Sequence, residues 1–247
     1  MRSFSGITLF PALVLGLVFA PSVSAQKSLD AFAQTALQDL AASVDVISKN
    51  DRELSKIGKG YVDVYGLTSQ ELWVKDPDRV VFQGKKGILT LRYVTNPPRK
   101  LTEVATLRIR KVEDISKEPG KGDSIADFGV VTRNWATKVQ SKWLRVEQRD
   151  GKSLQVFEVW EASDPLYKNT IWIDPATRTL VERIAHHRNP NKPGFKKRFV
   201  FSEPKQYSGA WVPTRVDLYN GEGKLAASMR YESIRVNSGL QDKLFSF

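Results

Sequence analysis

Apolar and polar residues alternate along much of the chain, most clearly between Ile171 and His187. In this stretch, Ile171–Asp174 is rich in β-branched and aromatic residues, which predicts a strand. Asp174-Pro175 predicts a tight turn, and the strand pattern resumes at Leu180–Ile184. The same strand-turn-strand unit repeats from Trp143 onward, and its short connections indicate antiparallel neighbours. The predicted strands are Trp143–Gln148, Ser153–Glu161, Asn169–Asp174, Thr179–His187, Phe195–Phe201, Val212–Tyr219 and Lys224–Val236.

The first half of the chain has a more varied pattern. Over Ser28–Ile47 the apolar residues recur at i, i+3, i+4 and i+7, which predicts an amphipathic N-terminal helix. Leu101–Ser116 fits either a strand or a helix, and Ile125–Val139 predicts one or two short helices. Alternation predicts four further strands at Tyr61–Tyr65, Gln70–Lys75, Arg79–Phe82 and Ile88–Val94.

A long antiparallel meander tends to form a curved sheet, and the amphipathic helix is available to cover it. We therefore predict a mainly β (α+β) fold: a curved antiparallel sheet forming an incomplete half-barrel, with an N-terminal helix and short helices as lid. The lid candidates on the helix are Phe32, Leu37 and Leu40. Alternation assigns the candidates for the concave face but leaves open which face is concave. They are Leu72, Val74, Phe157, Val159, Ile171, Ile173, Phe199, Phe201, Val216, Leu218, Met229 and Tyr231.

The first residues are typical of a secretory signal. Arg2 precedes an apolar run over Ile7–Ala20, Pro21 breaks that run, and Val23-Ser24-Ala25 supplies small residues for cleavage. A membrane-spanning helix needs about 20 apolar residues, so an uncleaved anchor is the weaker interpretation. We expect a cleaved signal peptide over residues 1–25 and a single exported domain over residues 26–247.

Composition narrows the classes of partner. The chain has 247 residues, no Cys and a net charge of +11, so disulfides and thiolate chemistry are excluded. A basic excess indicates an anionic partner, and for an exported protein transient contact with a membrane surface fits better than nucleic acid. Solubility explains the charge equally well. The basic segment Lys192–Arg198 has the same two interpretations, a headgroup contact or a solvated hairpin.

Recognisable catalytic motifs are missing from the sequence, which has no nucleophile elbow, phosphate-binding loop or zincin helix. His186 and His187 are adjacent on a predicted strand and would face opposite sides, so they do not predict a metal site. Asp164 and Asp174 precede Pro, where a turn explains them. We therefore expect no metal, no cofactor and no catalytic residue, and thus not an enzyme.

Three segments have motifs that can be compared with those of known families. Gly60–Val64 is followed by Leu-Trp-Val-Lys-Asp-Pro at Leu72–Pro77. Ile171–Thr177 is Ile-Trp-Ile-Asp-Pro-Ala-Thr and is followed by Arg183. Asn237–Phe247 has the pattern Asn-x-x-Leu-x-Asp-x-x-Phe-x-Phe. In this order, behind a predicted signal peptide, they resemble the LolA-like family of periplasmic, outer membrane lipoprotein-sorting proteins.

The resemblance implies an eleven-stranded half-barrel, closed by helices, that holds acyl chains and carries lipoproteins across the periplasm. It implies that the concave-face candidates bind acyl chains of a lipoprotein or other lipid, received from an inner-membrane donor and passed to an outer-membrane acceptor. Asp76 occupies the position of a family Arg tied to lid closure, with Arg79 nearby. Two other functions stay open: a non-transporting envelope regulator or sensor that binds a partner protein, and a hydrolase of envelope polymers.

Overall fold

Thirteen strands form one antiparallel sheet in the computed structural model, which describes residues 27–189 and 191–247. The predicted signal peptide lies outside these residues and stays a prediction. The strands are β1 (Asp39–Lys49), β2 (Thr68–Lys75), β3 (Arg79–Lys86), β4 (Leu89–Asn96), β5 (Arg99–Val104), β6 (Ile109–Asp114), β7 (Val139–Arg149), β8 (Lys152–Glu161), β9 (Asn169–Asp174), β10 (Thr179–His186), β11 (Phe195–Tyr207), β12 (Ala210–Asn220) and β13 (Leu225–Val236).

The helices are short and lie between strands. α1 (Asp51–Ile57) and α2 (Lys59–Tyr65) connect β1 to β2, and α3 (Arg133–Lys138) precedes β7. The 3₁₀ turns are Leu29–Phe32, Ala105–Leu107, Pro119–Lys121, Ile125–Phe128 and Asp242–Phe245. No helix in the described part of the chain has the length and apolar character needed to cross a membrane.

The path of the chain explains why the sheet stays open. Strands β1 to β6 form a meander that ends at one edge of the sheet. The chain then passes to β7 at the opposite edge, and β7 to β13 return until β13 pairs with β1, with Val44 opposite Tyr231. Residues 115–138 make this passage, and we call them the crossover. Within the described residues β6 and β7 each pair with one neighbour, which leaves a half-barrel.

The predicted fold class is confirmed: the protein is mainly β, and its large antiparallel sheet is curved and not closed into a barrel. The sheet has thirteen strands rather than the eleven implied by the resemblance. Two predicted elements in the first half of the chain are wrong.

The predicted helix over Ser28–Ile47 is replaced by the 3₁₀ turn and β1. Leu40, Ala42, Val44 and Val46 face one side with a period of two and pack in the main core. Both periods are present in this segment, and the tertiary context selects the strand. β1 is central, hydrogen-bonded to β2 on one side and β13 on the other, and its β-branched residues suit a buried strand.

The predicted strand over Tyr61–Tyr65 is the helix α2 instead. β2 already pairs with β1 and β3, so its edges offer no position for another strand. In the helix, Tyr61 and Tyr65 lie one turn apart, and the centroids of their rings are 6.4 Å apart. Val62 and Val64 pack against the core.

The crossover and the segment before it resolve two further predictions. Leu101–Ser116 forms the end of β5, a 3₁₀ turn and β6, so the strand interpretation holds for most of it. Ile125–Val139 contains two short helices, as predicted. The Ser124 and Asp127 side chains form a capping box at the first, and Thr132 Oγ1 accepts a hydrogen bond from Trp135 N, 3.2 Å away, at the second.

The closing motif at residues 237–247 covers the outer face of β2 to β5. Phe245 is fully buried there in a cluster with Val81, Val94 and Leu101. The Asp39 carboxylate, at the start of β1, accepts bonds from the backbone N–H groups of residues 238, 239 and 240. The motif therefore seals one outer apolar surface and has a structural role.

Candidate functional site

The candidate site is the face of the sheet that the short helices cover, which we call the inner face. All twelve residues predicted for the concave face lie there, in one apolar cluster. Cross-strand pairs such as Phe157–Ile171, Phe199–Leu218 and Val216–Met229 link them across the sheet. The structure thus brings together residues that the alternation assigned one strand at a time, while their role in binding stays a prediction.

Short elements, rather than a second sheet, cover the inner face. Phe32 of the first 3₁₀ turn lies 5.8 Å from Phe157, centroid to centroid, and Phe128 of the crossover lies 6.3 Å from Tyr231. Helices α1 and α2 bury further side chains on the same cluster, among them Leu54. We call the 3₁₀ turn, α1, α2 and the crossover together the lid.

The three predicted lid residues have different positions. Phe32 is half-buried and packs against the inner face. Leu37 is 2% exposed and precedes β1. Leu40 is not in the lid: it lies in β1, opposite Val74, and forms part of the sheet wall. Leu40 was assigned to the lid because a helix was predicted over Ser28–Ile47, and that helix does not form.

Backbone hydrogen bonds fasten the crossover to the segment that follows the first 3₁₀ turn and to strand β10. The buried Gln34 donates its backbone N–H to the Val131 carbonyl at 2.8 Å and accepts from Arg133 N at 3.0 Å. Its side chain also joins the backbone of Trp211 in both directions, at 2.9 and 2.7 Å. On the other side Leu180 N of β10 donates to the Gly129 carbonyl at 2.8 Å. The apolar–polar pattern of the sequence did not indicate this role for Gln34.

Asp76 connects the β2–β3 turn to the crossover. Its carboxylate accepts hydrogen bonds from Thr132 Oγ1 and, at 2.7 Å, from Asn134 Nδ2. Burial raises the pKa of Asp76, and these two bonds oppose the rise. At the position where the resemblance places an Arg tied to lid closure, this chain has an acceptor that holds the lid segment directly.

A polar cluster lies under the lid beside the apolar residues. Arg183 of β10 donates to Asp127 at 2.6 Å and to the Asn169 side chain at 3.1 Å. Lys100 of β5 donates to Asp123 at 3.1 Å. Although burial disfavours the charge of Asp123, Lys100 holds its pKa below the ordinary value. The sequence singled out Arg183 only as part of a motif.

Tyr61 and Lys197 complete this cluster. Lys197 Nζ donates to the Tyr61 hydroxyl and lies 5.0 Å from the centre of its ring. Burial raises the pKa of Tyr61, and the nearby Asp123 and Asp127 add to the rise. The helix α2 thereby places a phenol between the crossover and β11.

A cavity of about 340 Å³ opens between the crossover and strands β8 to β10. Trp135, Trp160 and Tyr167 line it together with charged groups, and burial followed by the charge of Asp78 raises the pKa of its Glu161. Of the twelve inner-face candidates Val159 lines this cavity, and the others pack within the main cluster beneath the lid. In this structure the inner face is therefore covered, apart from the part that lines the cavity.

The histidines and the first part of the basic segment, Lys192–Lys196, lie apart from the inner site. His186 Nε2 and Thr170 Oγ1 are 2.8 Å apart, within hydrogen-bonding distance. His187, Lys192 and Lys196 line a second cavity of about 420 Å³ near α1. Among the described residues, no group of three His, Cys, Asp or Glu side chains is placed to hold a metal ion.

Comparison with known proteins places the chain in a family. Residues 107–247 match a family model that is described as "Uncharacterized protein". The match spans more than half of the chain, so the protein belongs to that family. No curated protein sequence matches the chain.

Solved structures show the same fold. An outer membrane lipoprotein-sorting protein domain from Vibrio parahaemolyticus is 16% identical, with a TM-score of 0.61 over 88% of this chain and 93% of that one. A DUF1329 family protein from Desulfovibrio piger is 12% identical, with a TM-score of 0.61 over 88% and 92%. A LolA superfamily protein from Nitrosomonas europaea is 11% identical, with a TM-score of 0.57 over 89% and 94%. The chain has the LolA-like fold, as the three sequence motifs predicted.

Proposed function

We propose that this protein is a periplasmic carrier or binder of lipoproteins or other acyl-chain lipids. The observation that carries the proposal is the broad apolar inner face, whose cover consists of short helices and a crossover. A second sheet would be a permanent partner for such a face. Short elements between strands are a cover that is able to move without disturbing the hydrogen bonds of the sheet.

The proposed binding exchanges one apolar contact for another. Opening the lid would expose side chains such as Phe157 and Phe199, at a cost of about 25 cal/mol for each Å² of apolar surface. An acyl chain that takes the place of Phe32 and Phe128 would restore that burial, at about 0.8 kcal/mol per CH₂ group. The net affinity then depends on the length of the chain and on the cost of releasing the lid.

The lid has features of an element that opens locally. α1 and α2 have seven residues each, which is too short for stability without tertiary packing. The crossover is held by backbone bonds to Gln34 and Leu180, by the Asp76 carboxylate, and by the ion pairs of Asp123 with Lys100 and of Asp127 with Arg183. Elements outside the hydrogen-bond ladder of a sheet open locally at a lower free energy than its central strands, and such elements supply the moving parts of a fold.

The predicted signal peptide supports export to the periplasm and a single mature domain over residues 26–247. In that compartment a carrier would receive its lipid from an inner-membrane donor and release it to an outer-membrane acceptor. The basic excess is compatible with brief contact at an anionic membrane surface.

Uptake of a fluorescent fatty acid by solvent-extracted protein tests the proposal. We expect saturable uptake by the wild type and weaker uptake by Met229→Trp, which fills space on the inner face. Leu225→Trp adds the same ring at an exposed position of β13 and is the matched control. Absence of uptake by folded wild-type protein, or equal uptake by both variants and the wild type, would contradict the proposal.

A second candidate function, a regulator or sensor that binds a partner protein, is supported by one exposed apolar surface. Ile88 is 90% exposed in the β3–β4 turn. Leu107 is also exposed, and a hydrogen bond of 3.2 Å from Thr90 N to Thr106 Oγ1 holds its 3₁₀ turn next to β4. Exposed apolar groups that lie together mark interaction surfaces. A stable complex that survives Met229→Trp but is lost in Ile88→Asp would favour this alternative.

A further inference from the structure

The inner-face side of β11 changes from charged to apolar along its length. Lys197, Phe199 and Phe201 alternate with outward residues, so the three side chains lie on one side of the strand. Lys197 belongs to the basic segment and is half-buried, whereas Phe199 and Phe201 are 7% and 4% exposed. The two rings are stacked, with centroids 6.2 Å apart. A cation at the rim of an apolar surface matches the two ends of an anionic amphiphile.

The charges of the polar cluster leave Lys197 without an acidic partner. Asp123 pairs with Lys100 and Asp127 pairs with Arg183. Among the described residues, no carboxylate oxygen lies within 4.0 Å of Lys197 Nζ. The cluster thus has three cations and two carboxylates, and the unmatched positive charge is on β11.

The contacts that Lys197 does make are compatible with a ligand. Its Nζ lies 5.0 Å from the Tyr61 ring centre and 5.2 Å from that of Phe199, and it donates to the Tyr61 hydroxyl. An ammonium group has three N–H donors, and one of these is used by the phenol. Tyr61 lies on α2, so this single bond joins the cation to the lid. Movement of α2 would expose Lys197 and the apolar rings together.

We propose that Lys197 receives the anionic headgroup, a carboxylate or a phosphate, of an acyl-chain amphiphile whose tail lies on Phe199 and Phe201. This inference rests on the proposed function and names the class of lipid. The headgroup replaces the Tyr61 hydroxyl as the partner of the ammonium and neutralises the unmatched charge of the cluster. The tail then extends from the rim toward the centre of the inner face.

Three ligands with the same tail test the headgroup. Palmitate carries a carboxylate, hexadecyl phosphate carries a phosphate, and hexadecanol is uncharged. Their affinities for solvent-extracted protein are measured by displacement of an uncharged solvatochromic dye. A hydrogen bond to a charged group predicts that the wild type binds the better of the two anions roughly ten- to a hundredfold more tightly than the alcohol. The ratio of the two anions identifies the source of the charge.

Substitutions at Lys197 assign the preference to this residue. Lys197→Met keeps an unbranched side chain against Tyr61 and Phe199 and is expected to bind anion and alcohol equally. Lys197→Arg keeps the charge and is expected to retain the preference. Lys205→Met removes an exposed cation from the same strand and is the control for overall charge. Thermal unfolding of each variant confirms that it is folded.

The outcomes separate the two proposals. Equal binding of all three ligands by the wild type, or a preference that survives in Lys197→Met, would overturn the headgroup assignment while acyl-chain binding stands. Failure of every ligand to displace the dye from folded wild-type protein would overturn both. Loss of the preference in Lys197→Met alone among the variants supports the assignment.

Discussion

At the residue scale, Asp76 is the point at which this chain differs most informatively from the motif that it resembles. An Arg at this position would be a donor, whereas Asp76 is an acceptor with donors from Thr132 and Asn134 of the crossover. Thr132 in turn caps α3 through Trp135 N. One carboxylate therefore positions both the turn after β2 and the start of the last lid helix.

Replacing Asp76 by Ala should weaken the attachment of the lid. We expect Asp76→Ala to lower the free energy of unfolding by about 1–3 kcal/mol, because the buried Thr132 hydroxyl and the exposed Asn134 amide lose a charged acceptor. Asp78→Ala is the matched control, since Asp78 makes a more exposed ion pair with Lys138 and should cost about 0–1 kcal/mol. Chemical denaturation measures both values, and equal losses would contradict the role given to Asp76.

The Asp123–Lys100 pair predicts a dependence on pH. The pKa of Asp123 is lowered in the folded protein, so the pair stabilises the fold fully above the unfolded pKa, about 4, and less as the pH falls below it. We expect the stability difference between wild type and Asp123→Asn to be constant from pH 5 to 7 and to shrink below about pH 4. Denaturation at several pH values measures it, and a difference that grows on acidification would contradict this assignment.

Single apolar positions were predictable from the sequence, whereas their polar neighbours were not. Alternation is a local property with a period of two, so Leu72 and Val74 could be assigned to one face without knowledge of the fold. Arg183 and Lys197 face the interior too, but their partners Asp127 and Tyr61 come from segments distant in sequence. A charged residue on an inward position is recognised only when its partner is known.

At the element scale, the errors occurred where two periods coincide. The segment Asp39–Lys49 has helical spacing and strand alternation together, and its two hydrogen-bonded neighbours decide in favour of the strand. Tyr61–Tyr65 has strand alternation but forms a helix, because both edges of β2 are already paired with β1 and β3. Local pattern gave the type of element correctly where tertiary partners did not compete with it, as in the strands from β7 to β13.

The proposed exchange of acyl chains requires the crossover to move away from the inner face. Val130 and Thr179 form an antiparallel bridge between the crossover and β10, so a Val130→Cys/Thr179→Cys pair is suitably placed for a disulfide. The chain has no Cys of its own, and the engineered bond would be unique. We expect the oxidised variant to take up fluorescent fatty acid about tenfold more slowly than the wild type. The reason is that the disulfide holds the crossover against β10 and so prevents the lid from opening.

The reduced form of the same protein is the internal control for that experiment. A reductant should restore the wild-type rate, and each single Cys variant should behave alike in both redox states. Fast uptake by fully oxidised protein would show that the crossover does not need to move, and would exclude it from the mobile part of the lid.

At the scale of the whole molecule, the topology assigns different tasks to the two faces of the sheet. The closing segment that contains Phe245 seals the outer face of β2 to β5 and ties the end of the chain to β1 through Asp39. The inner face is covered by connections between strands, which are not part of the sheet. Under the proposed function, the closing segment stabilises one face of the sheet and the other face would exchange the ligand.

The overall architecture was predictable because the second half of the chain is a regular meander with short turns. The pairing of β13 with β1, which brings the two halves into one sheet, was not, since it joins residues nearly 200 positions apart, such as Leu40 and Val236. The crossover follows from that pairing. Its place over the inner face depends on the path of the entire chain rather than on its own sequence.

Native mass spectrometry of the protein, isolated without detergent and again after solvent extraction, decides whether the inner face holds acyl chains. We expect the isolated protein to carry the mass of an acyl lipid, extraction to remove this mass, and added palmitate to restore a bound species on folded protein. A chain that is isolated without any added mass, and that binds no palmitate while remaining folded, would contradict the claim that the inner face holds acyl chains.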